Sequence, residues 1–294
     1  MNSAEMAIQI AVSGLVIGCI YALVAWGFTI VYNATGLINF AAGEFVMMGG
    51  VIYATLDTAL PSIPLFTVPV TIAVVALASA AMDRFGLQKA RRRNNLTLVM
   101  ITIGMAIAFR GIMLFVGGKE FLFPSAFSFF DVPPVFGIVV TAQNIWVIGT
   151  TAVIAGLLWL LFSRTWLGRA MRAAGENPRA ALLMGVSPQL VSTIAFALAG
   201  AMGALAGTLI APIASANYMS GLFFGLKGFA AAILGGIGSP IGAIAGGVIL
   251  GLMESFAAGY ISSGWKDAIA LAILILALLI RPTGIFGSPS VRRV

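Results

Sequence analysis

Long apolar runs, separated by short polar or proline-containing stretches, constrain this sequence more than any other feature. Of its 294 residues, 61% are hydrophobic and 9% are charged, which is unlike a soluble globular domain. A helix that crosses a bilayer needs about 20 apolar residues. Runs of about this length cover residues 7–31, 38–56, 64–83, 96–116, 144–163, 189–212, 222–237, 240–259 and 267–281.

Each run is predicted to be helical, because backbone groups within hydrocarbon must hydrogen-bond inside their own segment. The run at 222–237 is short and rich in glycine, which predicts a broken or re-entrant helix. The loop at 117–143 is too short to fold as a separate domain. The fold is therefore predicted to be all-α: a polytopic transmembrane bundle of about eight to nine membrane segments, forming a single domain over 1–294.

Glycine pairs four residues apart predict close packing between these helices, because small side chains let backbones approach each other. The pairs are Gly14 with Gly18, Gly203 with Gly207, Gly242 with Gly246, and Gly247 with Gly251.

Three basic clusters predict the orientation of the bundle. They are Arg84, Lys89 and Arg91–Arg93, then Arg164, Arg169, Arg172 and Arg179, and finally Arg281, Arg292 and Arg293. The positive-inside rule places all three in the cytoplasm. The N-terminus is then outside, the C-terminus is cytoplasmic, and the loop at 117–143 is external with Lys119, Glu120 and Asp131. The formal charge of +7 reflects this bias and does not indicate binding to nucleic acid.

The composition also excludes several kinds of chemistry within this chain. It has no histidine and one cysteine, Cys19, which excludes disulfides, zinc sites, Cys-His nucleophiles and Ser-His-Asp triads. It has no G-x-x-x-x-G-K-[ST] phosphate-binding loop. We therefore expect no catalytic residue, no metal ligand and no cofactor in this chain.

Asn39 and Glu44 are polar residues in an otherwise apolar run. Such residues are costly in lipid and normally face a protein interior or an aqueous cavity, so they are candidates to line or gate a translocation pathway. Alternatively, Asn39 caps a helix and Glu44 lies near the positive N-terminus of that helix.

Lys227 is the one charged residue of the 222–240 stretch. It either lines a pathway at a discontinuous helix near the membrane midplane or extends its head group to the outer interface. Arg110 and Glu254 lie near predicted outer ends of their segments, where the same extension to the interface accounts for them.

A short helix is predicted at about 176–186, between two membrane segments on the cytoplasmic side. Asn177 supplies an N-cap, Pro178 the first helical position and Gly185 the C-terminal stop. So short a helix cannot bury its own apolar residues, which indicates a partner surface. The candidate contact residues are Glu176, Asn177, Arg179, Leu182, Leu183, Met184 and Gly185. Alternatively, the helix lies on anionic membrane lipid, held there by Arg169, Arg172 and Arg179.

Four motifs in order make the sequence similar to a known family, the integral-membrane permease subunit of branched-chain amino-acid-type ABC importers. They are Gly36–Phe40 continuing through Gly43–Phe45, Glu176–Pro178 continuing through Gly185, Leu198–Gly203 and Gly235–Gly242. The resemblance extends over nearly the whole chain.

The resemblance implies a subunit of the bacterial inner membrane that pairs with a second, homologous permease. It also implies two cytoplasmic ATPase subunits, which bind ATP and Mg²⁺, and a periplasmic substrate-binding protein. The helix at 176–186 would then be the coupling helix that docks on an ATPase. Members of the family transport branched-chain and other amino acids, amides, urea and aromatic acids. This chain has Ala42 where the family often has histidine, which leaves the substrate open.

Two other functions can be compared with this one. A stand-alone secondary transporter or channel has no need of the helix at 176–186 and usually needs ionisable groups at the midplane. An intramembrane enzyme is disfavoured because the chain lacks histidine and a nucleophile–base pair. The sequence therefore favours the permease subunit.

Overall fold

Each of the nine apolar runs forms a helix in the computed structural model, which describes residues 3–59, 64–90, 94–127, 139–281 and 283–287. Over these residues the α-helices are α1 (Ser3–Thr35), α2 (Ala42–Ala59), α3 (Pro64–Ala81), α4 (Asn95–Gly117), α5 (Ala142–Arg164), α6 (Trp166–Glu176), α7 (Pro178–Leu183), α8 (Pro188–Ala214), α9 (Ser220–Gly235), α10 (Pro240–Tyr260) and α11 (Lys266–Ile280). A π-helical segment, Met82–Leu87, continues α3. An isolated antiparallel bridge joins Leu122 to Ala216. The prediction of an all-α polytopic bundle is confirmed.

Six of the described helices are long and apolar enough to cross a membrane: α1, α3 with its π-helical continuation, α4, α5, α8 and α10. The helices α2, α9 and α11 are shorter, with 18, 16 and 15 residues. At 1.5 Å per residue, α2 extends for about 27 Å and α9 for about 24 Å. Each is therefore shorter than the hydrocarbon core, which is about 30 Å thick.

The structure corrects the sequence prediction at two helices. Of the two alternatives predicted for 222–237, a break is wrong, because α9 is continuous from Ser220 to Gly235, and a re-entrant helix stays a prediction. Its glycines permit close approach instead: a methyl group on Gly225 would lie 3.1 Å from the Cα of Gly43. The run at 38–56 becomes helical only at Ala42. Asn39 Oδ1 accepts a hydrogen bond from Ala41 N, which holds the chain in a turn just before the helix begins.

Capping residues set several other helix starts. Six residues each accept a hydrogen bond from the backbone N–H three residues further along: Asn94, Thr141, Thr165, Asn177, Ser187 and Ser239. Proline occupies the first position of α7, α8 and α10. The capping side chains pair with N–H donors that a helix N-terminus otherwise leaves unpaired, and each proline removes one such donor.

The helices α1 and α8 form the centre of the bundle. The face of α1 packs on α10 and α8, and α8 packs in turn on α2 and α3. All four predicted glycine pairs lie at helix contacts. A methyl group on Gly18 would lie 2.7 Å from the Cα of Val248 in α10, and one on Gly203 would lie 2.6 Å from the Cβ of Phe45 in α2. The prediction of close packing through glycine is therefore confirmed.

One end of the bundle, which we call the α7 end, brings together the end of α1, the π-helical segment, α6, α7, the start of α8 and the turn between α9 and α10. Asn33 Nδ2 donates to Gly238 O at 2.9 Å, and Ile285 N donates to Leu234 O at 2.9 Å. Gly175 of α6 lies directly against the backbone carbonyl of Asn33.

The described members of all three basic clusters lie on segments at this end. Arg84 and Lys89 follow α3, Arg179 is in α7, and Arg281 follows α11. The predicted cluster members Arg91–Arg93, Arg292 and Arg293, and the loop residue Asp131, lie outside the described residues.

We expect Gly18→Leu to destabilise the bundle by about 3 kcal/mol, because the neighbouring atoms are backbone of α10 and cannot move aside. The measurement is the thermal unfolding midpoint of the purified protein in detergent. Gly149→Leu is the matched control, since Gly149 lies within α5 and has nothing within 4 Å of an added methyl group. Equal midpoints for the two variants would contradict the proposed packing.

Candidate functional site: an exposed short helix and two ion pairs between membrane helices

The short helix α7 is held by the capping residues that the sequence predicted. Asn177 Oδ1 accepts from Ala180 N at 3.1 Å, and Pro178 is the first helical residue. Gly185 has a φ of 80°, a conformation that glycine adopts without strain. The helix covers Pro178–Leu183 and is shorter than the predicted 176–186. Glu176 is the last residue of α6, because the chain turns out of the helical conformation at Asn177.

The predicted contact residues all lie on the surface of the α7 end. Within α7, Ala181 is buried against the bundle. Beyond it, Leu183 is 88% exposed and Met184 is 84% exposed. Glu176, Asn177, Arg179, Leu182 and Gly185 are also exposed. A neighbouring pair of large apolar side chains with so little cover is typical of a surface that binds another protein or a membrane.

The helix α6, which precedes α7, was not predicted. Its Ala170, Met171 and Ala174 are buried, whereas Arg169 and Arg172 are exposed. These apolar residues recur at three- and four-residue spacing after the N-cap Thr165, a helical signal that the sequence does contain. Because α6 lies against the end of α1, it fixes the position from which α7 projects.

A cavity of about 340 Å³ lies beside α7, between the ends of α1, α3, α4 and α8. Its lining includes Leu37, Leu87, Leu98, Arg179, Leu182 and Phe196. Asp83, at its edge, is buried and accepts hydrogen bonds from Ser192 Oγ and Thr193 Oγ1, each at 2.8 Å. This carboxylate ties the π-helical end of α3 to the start of α8.

Glu44 forms the first of two ion pairs within the membrane segments. It lies in the first turn of α2, is 3% exposed and pairs with the guanidinium of Arg110 on α4. The expected extension of Arg110 to the outer interface is wrong. The reason is that α2 begins level with the interior of α4, as the hydrogen bond from Phe40 N to Thr102 Oγ1 at 3.3 Å shows.

Lys227 forms the second ion pair. Its Nζ lies 2.7 Å from Glu254 Oε1 on α10 and 2.6 Å from Asp267 Oδ1 at the start of α11. Tyr21 of α1 donates its hydroxyl to Glu254 Oε2 at 2.8 Å. Glu254 is therefore buried and paired. Its expected extension to the interface stays a prediction, because its cluster includes Lys266 and Asp267 in the first turn of α11.

The structure does not place Glu44 and Lys227 together. Glu44 contacts α9 at Gly221, and Lys227 lies six residues further along that helix. At 100° per residue, six residues correspond to a rotation of about 120° from the starting face. The two ion pairs thus lie on different sides of α9. The described residues hold no group of three or more Cys, Asp or Glu that could bind a metal ion.

Comparison with known proteins identifies the family. The family model described as "branched-chain amino acid transport system / permease component" matches residues 10–278. The chain belongs to this family. It is therefore a transport permease and is not itself an enzyme.

Two relatives match this permease over nearly its whole length. It is 36% identical over 301 residues to the high-affinity branched-chain amino acid transport system permease protein BraD of Pseudomonas aeruginosa, covering 98% of each chain. It is 35% identical over 297 residues to the corresponding LivH protein of Escherichia coli, covering 96% of each. Among solved structures, PsaBC from Streptococcus pneumoniae in complex with Fab has a TM-score of 0.53 at 13% identity. The match covers 92% of the permease and 91% of that chain, and it indicates a common fold.

For the ion pair at Lys227, we expect Lys227→Met to destabilise the permease more than the double variant Lys227→Met/Glu254→Gln. The single substitution leaves the buried Glu254 carboxylate with Lys266 Nζ, 3.9 Å away, as its remaining ammonium neighbour, at a cost of up to about 3–5 kcal/mol, whereas the double substitution removes both charges. Thermal unfolding of the wild type, both single variants and the double variant gives the coupling between the two residues. Additive effects would show that the pair does not stabilise the fold.

Proposed function

We propose that this permease forms the translocation pathway of an ATP-driven importer together with a second, homologous permease subunit. Its substrates are branched-chain amino acids or related small polar solutes. ATP and Mg²⁺ are bound by two cytoplasmic ATPase subunits, and a periplasmic binding protein delivers the solute. The observation that carries the proposal is the exposed apolar tip of α7, Leu183 and Met184, on a helix that the bundle holds at both ends.

The α7 tip fits an ATPase subunit better than a lipid surface. A helix that lies on lipid turns its apolar residues toward the bilayer and its basic residues outward. Here Ala181 faces the bundle, and Leu183 and Met184 are directed away from it. Glu176, Asn177, Arg179, Leu182 and Gly185 surround this tip and complete the proposed contact surface.

The substrate class follows from the relatives. Both BraD and LivH are described as high-affinity branched-chain amino acid permeases, and the chain matches each of them over nearly its full length. This supports transport of an amino acid with an apolar side chain. Asn39, Glu44 and Lys227 are the proposed pathway or gating residues, because each carries a buried or half-buried polar group between membrane helices.

The orientation proposed for the permease has the α7 end in the cytoplasm and the N-terminus outside. It is supported by the basic residues on segments at the α7 end and by the preference of such residues for the cytoplasmic side.

The central test is Leu183→Asp. We expect this variant to fold normally, because Leu183 is 88% exposed, but to lose the ATPase subunits that co-purify with the tagged wild-type permease. A carboxylate in an apolar contact must be buried without a partner, which is strongly unfavourable. The measurements are mass spectrometry of the co-purified proteins and ATP hydrolysis with and without the periplasmic binding protein.

Leu96→Asp is the matched control. It makes the same substitution at an exposed leucine in the first turn of α4, where an acidic residue suits the helix N-terminus. We expect it to keep the ATPase subunits. If Leu183→Asp kept them as well, α7 would not be the docking helix. If the wild type purified alone and moved solute in liposomes without ATP, the importer proposal would be replaced by a stand-alone carrier.

The proposed orientation is tested by cysteine labelling in a Cys19→Ala background, since Cys19 is buried and is the one native cysteine. We expect Met184→Cys to react with a membrane-impermeant maleimide only in inside-out vesicles. Lys119→Cys, in the loop after α4, should react only in intact spheroplasts. The opposite pattern would reverse the orientation.

A further inference from the structure

Two helix N-termini meet inside the bundle, well away from both ends. Phe40, just before α2, is bonded to Thr102, which lies seven residues, or about 10 Å, into α4. The first turn of α9 lies against the first turn of α2: a methyl group on Gly221 would lie 2.7 Å from the carboxyl carbon of Glu44. From Gly221, α9 runs about 21 Å to its end at Gly235. The contact therefore lies inside the bundle, about 21 Å from the α7 end of α9.

This meeting point has a positive electrostatic character. The N-terminus of each helix carries a partial positive charge from its unpaired N–H groups, and Met219 gives α9 no side-chain cap. Arg110 adds a full positive charge from α4. In the structure, the carboxylate of Glu44 is the negative group held among them.

On the segments that meet here, three buried side-chain atoms have no hydrogen-bond partner among the described residues: Asn39 Nδ2, Glu44 Oε2 and Arg110 Nε. Asn39 and Glu44 are 1% and 3% exposed. Buried polar groups in folded proteins almost always have a partner. An acceptor and two donors left open, with the Arg110 side chain as a whole 26% exposed, therefore indicate a place for a ligand with both donor and acceptor groups.

We propose that Glu44, Arg110 and the first turns of α2 and α9 bind a zwitterionic solute during transport. The solute carboxylate takes the place of Glu44 against Arg110 and the helix N-termini, and its ammonium group pairs with Glu44. This inference rests on the proposed function and adds a selection step within the permease itself.

Charge balance gives the site its selectivity. Exchanging an internal ion pair for a zwitterion leaves every buried charge with a partner. A solute with only a carboxylate leaves Glu44 unpaired, and a solute with only an ammonium group leaves Arg110 unpaired. Both outcomes bury an isolated charge, which is strongly unfavourable. A neutral amide cannot separate the ion pair. The site should therefore favour amino acids over organic acids, amines and amides.

A cysteine beside the site reports its occupancy. Leu222 is half-exposed and adjoins Gly221, so we would prepare Leu222→Cys in the Cys19→Ala background. The permease complex with its ATPases is reconstituted in nanodiscs without the binding protein, and the rate of maleimide labelling is measured. The four probes share one carbon skeleton: leucine, leucinamide, 4-methylpentanoate and 4-methylpentanamide.

We expect leucine to slow labelling about fivefold at about four times its dissociation constant, because only the unoccupied site reacts. The other three probes should leave the rate unchanged at the same concentration. Equal slowing by all four probes, or by none, would overturn the proposal.

The double variant Glu44→Gln/Arg110→Gln keeps a hydrogen-bonding pair without burying a lone charge. It should still co-purify with the ATPases but should lose protection by leucine. Protection that persisted in this variant would assign leucine to another place. These results are distinct from a failure of the proposed function, which would appear first as the absence of ATPases from the wild-type preparation.

Discussion

Close backbone contact between glycine-bearing helices is the interaction on which the rest of the bundle depends. Gly18 of α1 meets Val248 of α10, and Gly203 of α8 meets Phe45 of α2, each too closely for a side chain. In lipid there is little hydrophobic drive for helices to associate, so tight packing carries much of the stability. These contacts fix how far α1, α2, α8 and α10 are shifted along their axes relative to one another. Which polar side chains meet between the helices depends on those shifts.

The sequence predicted the elements whose cause is local. Nine apolar runs became helices, and Asn177 with Pro178 began α7, because hydrophobicity and capping act within a few residues. The partners of the charged residues could not be predicted in this way. Arg110 reaches Glu44 because α2 starts level with the interior of α4, and that offset is a property of packing. The helix α6 is a different case: it was not predicted, although its amphipathic spacing is present in the sequence.

The two ion pairs differ in what surrounds them. Lys227 has Glu254, Asp267 and the ring of Tyr21 about it, so its charge is satisfied by α1, α10 and α11 together. Glu44 and Arg110 are bonded to each other while further polar atoms beside them stay open. A polar network whose charged groups are paired makes a structure rigid. The pair of Lys227 with Glu254 thus resembles a brace between helices, and the pair of Glu44 with Arg110 a site that can exchange partners.

The contact between Gly175 and the carbonyl of Asn33 has a mechanical consequence. Asn33 also donates to Gly238 in the turn between α9 and α10, so α6, α1 and that turn meet at one residue near the end of α1. Because α1 is one continuous helix of 33 residues, about 50 Å long, a tilt imposed on it at this point would displace its far end further than its near end. Asn33 is then the pivot of such a tilt, with α6 and α7 close to it and the N-terminal end of α1 far from it.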